Sequence, residues 1–547
     1  MAGKMGLGAL SIAQPQQQRL EGTTLPAPGA GMNTTGALYG MQINESIYTF
    51  NMIPSEFGPR TRLGYREHSN GITGDGIRTI IPFDGVDSDH VADKLFVSTN
   101  DAIWDCSLQG AAVSKFTFVD QTADSGWGHF THYVNDDGTN FLIAAFELNG
   151  LFEYISATET WQVVTGITFP VETPQVDAGD IDFVVSHKQR LWLVPRGVSH
   201  AYYLPVGAKA GTATRFDFGN KFKHGGELVG LYNWTIDGGD GVDDYLVAVS
   251  GGGDIIMYRG GDPSSAATWE TTGTWYVGEL PSGRRGVSEV GGDLWILSTQ
   301  GVITARALIS GVYSEDETTS PAFKISRLIR NRMYTEKNFR GWEVGLNANE
   351  AQFVVNSPEQ PSQPKLQYVY SIPMDAWGIW RGVPAKTFGN WNGRYYVGSE
   401  DATPILWEMV GDLDQVYLDS EDGDPIPIEF SMLSSYQDYG KPAQYKRIQY
   451  LRPTFLGNLT PNFEIVPIYN YNIVEPTITI GATLGADDVW GTALWDQAIW
   501  GGELSPFETL QGGGGLGLVA AYAIRGETTT RVTLASIDVM WDSGGYT

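Results

Sequence analysis

LFVSTNDAIWDC, residues 95–106, reads as an apolar strand, a polar turn and a second apolar strand, the signature of a β-hairpin. The unit recurs along the chain. FLIAAFELNGLFEY starts at Phe141, FVVSHKQRLWLV at Phe183, YLVAVSGGGDIIMY at Tyr245 and LWILSTQGVITARA at Leu294. A weaker copy pairs Gln352 to Asn356 with Leu366 to Ser371, and YYVGSEDATPILWEM starts at Tyr395. The starts advance by roughly 40 to 60 residues, and a four-stranded propeller blade takes about 40 to 50. This period predicts an all-β chain with a β-propeller of about six to eight blades over residues 36–425. Stacked sandwiches are the competing architecture for regular hairpins.

Outside the repeat the pattern changes. Residues 1–35 are rich in Gln, Pro and Gly without periodicity, predicting an extended N-terminal arm. From Ile426 to Thr547 alternating strands continue without the period (IPIEFSMLSS, YKRIQYLRPTF, FEIVPIYNYNI, TITIGATL, GLVAAYAIRG, TTRVTLASIDVMW). They predict a separate antiparallel β-sandwich over 426–547, the candidate tube-forming domain. One helix is expected near 321–337: Ser320 is placed to cap it, Pro321 suits its first position, and Ile325, Leu328, Ile329 and Met333 share a face. Lys324, Arg327, Arg330 and Arg332 form a basic run there, a candidate subunit contact in an acidic chain.

Composition narrows the function classes. Gly is 68 of 547 residues and charged residues only 18%, the profile of a turn-rich all-β protein rather than a helical or disordered one. A net charge of −28 opposes general nucleic-acid binding, which needs Lys and Arg to neutralise phosphates. From Asp401 onward there are 20 acidic and six basic residues, so half the negative charge lies in about a quarter of the chain. The single cysteine, Cys106, excludes an intrachain disulfide framework and reads as core. MAGKMGLGALSIAQPQQQ is short for a signal peptide, and the longest apolar stretch, near Gly515 to Ile524, is half a membrane span. No membrane insertion is expected.

No residue set points to catalysis, a metal or a cofactor. The 63 acidic residues give many chance pairs for a glycosidase, but Asp136-Asp137-Gly138-Thr139 lacks the Ser and Trp of a sialidase box. Asp237, Asp240, Asp243 and Asp244, and separately Glu421, Asp422 and Asp424, lie in Gly-containing loops that calcium would accept; Asp-Gly is equally ordinary turn chemistry. His129 and His132 have no identifiable third ligand. There is no Gly-x-Ser-x-Gly elbow and no Walker loop.

Three segments resemble a known family. Between Phe183 and Val302 a His-Lys-x-Arg-Leu-Trp hairpin is followed by a Tyr-Leu-Pro strand, a Trp-x-x-Asp-Gly-Gly-Asp-Gly loop, a Gly-Gly-Asp-Pro turn and a Gly-Gly-Asp-Leu strand. With FNMIPSEFGPRTRLGYREH at Phe50 to His68, and KRIQYLRPTF with Trp490, Trp495 and Trp500, this is similar to tail nozzle or hub proteins of short-tailed bacteriophages, the packaged-DNA stabilisation family. The resemblance implies a non-enzymatic virion tail protein, assembled in the host cytoplasm as a homo-hexamer below the portal. Its implied partners are a head-to-tail adaptor, tail fibres or tailspikes, and double-stranded DNA in transit. On that expectation Asp412, Asp414, Glu421, Asp422 and Asp424 are candidates to face the channel, where carboxylates repel phosphate. The alternative is a glycan-binding or glycan-cleaving propeller, whose aromatics would stack on sugars.

Overall fold

The computed structural model describes residues 20–85, 90–237, 242–311, 320–360, 364–477 and 505–546. Strand makes up 51% and helix 5%, so the chain is all-β as its hairpins require. Six separate sheets form propeller blades. The first four have four antiparallel strands each, spanning Thr79–Thr117, Gly128–Val163, Ile181–Asp217 and Leu228–Tyr276. The fifth has three strands, from Val287 to Thr304, with the short helix Ala305–Ile309 after them. The closing blade joins Ala385–Trp391, Arg394–Ser399 and Leu406–Met409 to Tyr65–Asn70, a strand from before the first blade. Between the fifth and closing blades, the ring is filled by four strands from Glu343 to Arg381 that belong to a larger sheet. Neighbouring sheets then touch around a full circle, Ala385–Trp391 meeting Thr79–Phe83.

Each quoted hairpin lies in a different place of this ring. A strand flanked by two blades is apolar on both faces, which is why Phe141 to Phe146 are all buried and why the hairpins read as continuous apolar runs. Apolar clusters fill the spaces between neighbouring blades, for example Phe83, Phe96, Phe146 and Trp161 between the first two. Each such side chain contributes roughly 1.5–3 kcal/mol.

The larger sheet ties the propeller to the C-terminal strands. Its order is Glu343–Asn347, Gln352–Asn356, Leu366–Ser371, Ala376–Arg381, then Ser46–Phe50, Ile426–Ser434, Ala520–Thr528 and Asn462–Tyr469. Asn51 stitches the joint. Its backbone is left-handed, at φ 58°, and its side-chain amide donates to the carbonyls of Arg381 (2.9 Å) and Glu429 (2.8 Å) and accepts from the Arg381 N–H (2.7 Å). Asn tolerates this conformation better than most residues. A second sheet carries Met52–Ser55, Gly58–Thr61, Val532–Tyr546, Gln444–Gly457 and Ser505–Glu508. Both sheets contribute to one apolar cluster, including Phe430, Met432 and Ile524 from the first and Phe455, Leu534 and Val539 from the second.

Two boundaries drawn from sequence pass through hydrogen-bonded sheet. The line at 425 separates Ser46–Phe50 from its partner Ile426–Ser434, with Thr49 opposite Met432. Residues 21–26, expected in an extended arm, are extended but lie along the second sheet, Glu21 opposite Trp541. Unpaired strand edges recruit partners wherever the chain supplies them, and periodicity names a strand without naming its neighbour.

The expected helix is present but starts later. Ser320 Oγ donates to the Val302 carbonyl (2.6 Å) and accepts from the Ala322 N–H (3.1 Å). A tight turn follows at Phe323–Ile325, and the α-helix runs over Ser326–Glu336. Ile325, Ile329 and Met333 are buried against Trp295, Val302 and Trp342; Leu328 is half-buried at the margin.

Candidate functional site

The site that the fold constructs is the propeller axis, where innermost strands converge. A cavity of about 360 Å³ there is lined by Thr79, Gly128, His129, Arg285, Glu343 and Thr387 from five different places in the ring. A narrower recess shares Gly128, His129, Arg284 and Arg285 and adds Trp127, Glu147, Asp182 and Arg340. Arg285 sits at the end of the turn Pro281-Ser-Gly-Arg-Arg-Gly, just before the fifth blade. Its Nη1 donates to Glu343 Oε2 (3.1 Å) and Thr387 Oγ1 (3.0 Å), and its Nη2 to Thr79 Oγ1 (2.6 Å) and the Gly128 carbonyl (3.1 Å). The guanidinium also lies 5.0 Å from the Trp127 ring centre, within cation–π range. One side chain thus reaches partners up to 206 residues away in the chain.

Its neighbours extend the bracing. Arg284 donates to the carbonyls of Leu228 (2.8 Å) and Val229 (2.6 Å), joining fifth blade to fourth. Arg340 is hydrogen-bonded to Glu147 and lies 3.5 Å from Asp124. Arg196 forks onto Asp182, with both contacts at 2.9 Å. Thr79 Oγ1 also donates to the Gly126 carbonyl (2.9 Å). Gly126 has φ +82°, and a Cβ there would meet the Thr99 carbonyl oxygen at 2.0 Å, so only glycine lets this backbone pass so close.

Electrostatics follow from enclosure. Burial raises the Glu343 carboxyl against the opposing pull of Arg285, and raises Glu147 against Arg340. His129 stacks on Phe183 with ring centres 3.8 Å apart and shares its Nδ1 proton with the Val184 carbonyl (2.9 Å). One edge of the ring faces the cavity, yet burial still lowers its pKa to about 4. It is a neutral imidazole at pH 7. The carboxylates Glu343, Glu147 and Asp182 are each held by a guanidinium. The arrangement fixes blades against one another, and its charges are spent internally. Sequence reading passed over Arg285; its only local signal is a pair of arginines in a Gly-flanked turn before an apolar strand.

The residues singled out from sequence lie elsewhere, and two groups need correction. Asp414 is buried: its carboxylate takes Arg62 Nη1 at 2.6 Å and Nη2 at 2.5 Å. It faces inward onto a fully buried cation and is withdrawn from the channel set, because burying Arg62 demands a paired anion. Asp412 is half-exposed, while Glu421, Asp422 and Asp424 are exposed on one turn. In the basic run, Arg332 is buried, bonded to Glu336 Oε2 (2.8 Å) and the Pro364 carbonyl (2.9 Å), so it is not available to a second subunit. Lys324 lies 3.3 Å from Glu45, Arg330 donates to Ser326 Oγ (3.3 Å), and Arg327 is exposed.

Among the described residues no group of three or more His, Cys, Asp or Glu is arranged to hold a metal. Residues 238–241 of the DGGDGVDD loop, and Trp490, Trp495 and Trp500, lie outside the described residues. Cys106 is fully buried, and its thiol pKa is pushed up by burial. Asp137 accepts the Thr139 N–H (3.0 Å) and hydroxyl (2.6 Å) within its own turn. No helix among the described residues is long and apolar enough to cross a membrane.

A scan against protein-family models matches nothing, and a search of curated proteins finds no match. Among solved structures, the chain is similar to BBS1N in its complex with ARL6DN, at 11% identity and TM-score 0.27, covering 61% of this chain and 79% of that one. It is also similar to a quinoprotein alcohol dehydrogenase-like protein of Bacteroides thetaiotaomicron, at 13% identity and TM-score 0.31, covering 55% of this chain and 64% of that one.

Proposed function

We propose that this chain is a structural subunit of a short-tailed bacteriophage tail, a nozzle or hub that assembles as a hexamer below the portal and adaptor and lines the path of exiting DNA. The observation that carries this reading is how the axis is built. Arg285 stands in the wall of the axial cavity, and its four contacts tie the ring together, a construction suited to a rigid scaffold. The sheet shared between propeller and C-terminal strands adds stiffness between the two regions. The turn order from Phe183 to Val302 supports the family, and a charge of −28 per chain supports passage of DNA without adhesion, since no counterions are released on contact. A closed ring needs two different complementary surfaces on each subunit, and Arg327 with Lys324 belongs to one candidate surface.

The test is the mass of the native assembly, measured by light scattering on the purified protein alone and with its adaptor. A ring of six is expected. A persistent monomer in both samples overturns the proposal, as does a mobility shift of duplex DNA by the wild-type protein at low salt.

A further inference from the structure

A groove of about 680 Å³ opens at the end of the C-terminal sheets, lined chiefly by Tyr39, Met41, Tyr436, Tyr471, Leu518 and Val519. Two of its aromatics are left to solvent, Tyr39 at 81% and Tyr471 at 40% exposure. An apolar concavity with exposed aromatic walls costs free energy unless covered. Asp438 is the charged residue in its lining.

The described chain begins beside this groove. Glu21 pairs opposite Trp541 and is bonded to Lys441, whose ammonium lies 4.9 Å from the Trp541 ring centre. Lys441 adjoins Pro442 in sequence, and its N–H donates to the Asp438 carbonyl (3.0 Å); both Pro442 and Asp438 line the groove. The strand direction agrees. Going from Pro26 to Glu21, the partner advances from Ser536 to Trp541, toward the end where Gln444 opposes Tyr546. The N-terminal end of the strand Glu21–Pro26 therefore lies on the groove side. Nineteen residues reach about 60 Å when extended, so distance is no obstacle.

The chemistry matches as well. Residues 1–19 carry Met1, Met5, Leu7, Leu10 and Ile12, with Lys4 and Arg19 as their only charged side chains. A basic, apolar stretch in a strongly acidic chain faces an apolar groove whose charge is Asp438. We propose that residues 1–19 occupy this groove of their own chain, their apolar side chains on Tyr39, Tyr471 and Val519 and a cation near Asp438. The inference does not depend on the assembly proposed above.

Disulfide trapping in the full-length protein tests it, with Cys106 silent because it is buried. Val519→Cys is combined in turn with Met5→Cys, Leu7→Cys, Leu10→Cys and Ile12→Cys, and with Val119→Cys as a remote exposed control. At least one arm pair should close within single chains, in dilute protein, at least tenfold faster than the control. Rates no faster than the control for all four pairs overturn the inference, and so do cross-links that join two chains, which would place a second copy's arm in the groove. If Val519→Cys fails to fold, Gln437→Cys replaces it on the same wall. Trypsin gives an independent reading: cleavage after Lys4 should be at least tenfold slower in wild type than in Val519→Arg, and equal rates overturn the inference.

Discussion

Replacing Arg285 with Met removes the axial brace while keeping much of its volume. Four donated hydrogen bonds disappear, and Glu343, only 8% exposed, loses its cation. Breaking a buried ion pair from one side costs about 3–5 kcal/mol, so a loss of roughly 4 kcal/mol is expected at pH 8. The pH dependence identifies the cause. Burial already raises the Glu343 carboxyl, and Arg285 pulls it down; without Arg285 the folded-state pKa rises further above the unfolded value. A raised carboxylate binds more protons folded than unfolded between those two values, so stability falls as pH rises through the folded pKa. Below the unfolded pKa the penalty vanishes. The deficit of Arg285→Met should therefore shrink from pH 8 to pH 5, and Arg285→Met with Glu343→Gln should recover much of it and lose the pH dependence. Urea unfolding followed by tryptophan fluorescence reads wild type and both variants. A single mutant as stable as wild type, or a deficit unchanged with pH and not relieved by the second substitution, would refute the brace.

Other outcomes follow from the same contacts. Asp414→Ala strands Arg62 in the interior and should cost about 3–5 kcal/mol in the same urea assay, whereas Asp422→Lys on the exposed turn should change stability by less than about 0.5 kcal/mol. Arg327→Glu should leave the monomer folded yet weaken ring assembly in light scattering, while Arg332→Glu should damage folding itself through Glu336. His129 is held neutral with a pKa near 4, below its unfolded value, so its contribution is lost as pH falls from about 6.5 toward 4; His129→Gln should flatten the acid limb of the stability curve over that window.

What sequence reading could see was set by what repeats. The hairpins at Leu95, Phe141, Phe183, Tyr245, Leu294, Gln352 and Tyr395 are legible because a strand between two blades is apolar on both faces. The helix at Ser326–Glu336 is legible through Ile325, Ile329 and Met333, but its start is not, since the backbone after Ser320 first makes the tight turn Phe323–Ile325. The axis was illegible. Thr79, Gly128, Glu343 and Thr387 carry no shared pattern, and only closure of the ring brings them to Arg285. Asp414 illustrates the same limit: a carboxylate in an acidic stretch reads as solvated until a buried arginine 352 residues away claims it. The shared sheet also escaped, because Ser46–Phe50 alternates equally well beside any partner.

The pairing of early with late strands also sets an order in time. Tyr65–Asn70 meets its antiparallel partner only with Leu406–Met409, and Glu21–Pro26 only with Val532–Tyr546. At about 5–20 residues per second of synthesis, the earliest strand waits on the order of 25–100 s for its partner. Throughout that interval its edge is open to neighbouring nascent chains, and contacts this distant in sequence form slowly. Cutting the chain after the propeller would leave Glu21–Pro26 without a partner and Ser46–Phe50 with Ala376–Arg381 on one edge alone, so the molecule is not divisible at the point where its repeats stop. Synthesis must reach Trp541 before the edge of the earliest described strand is sealed.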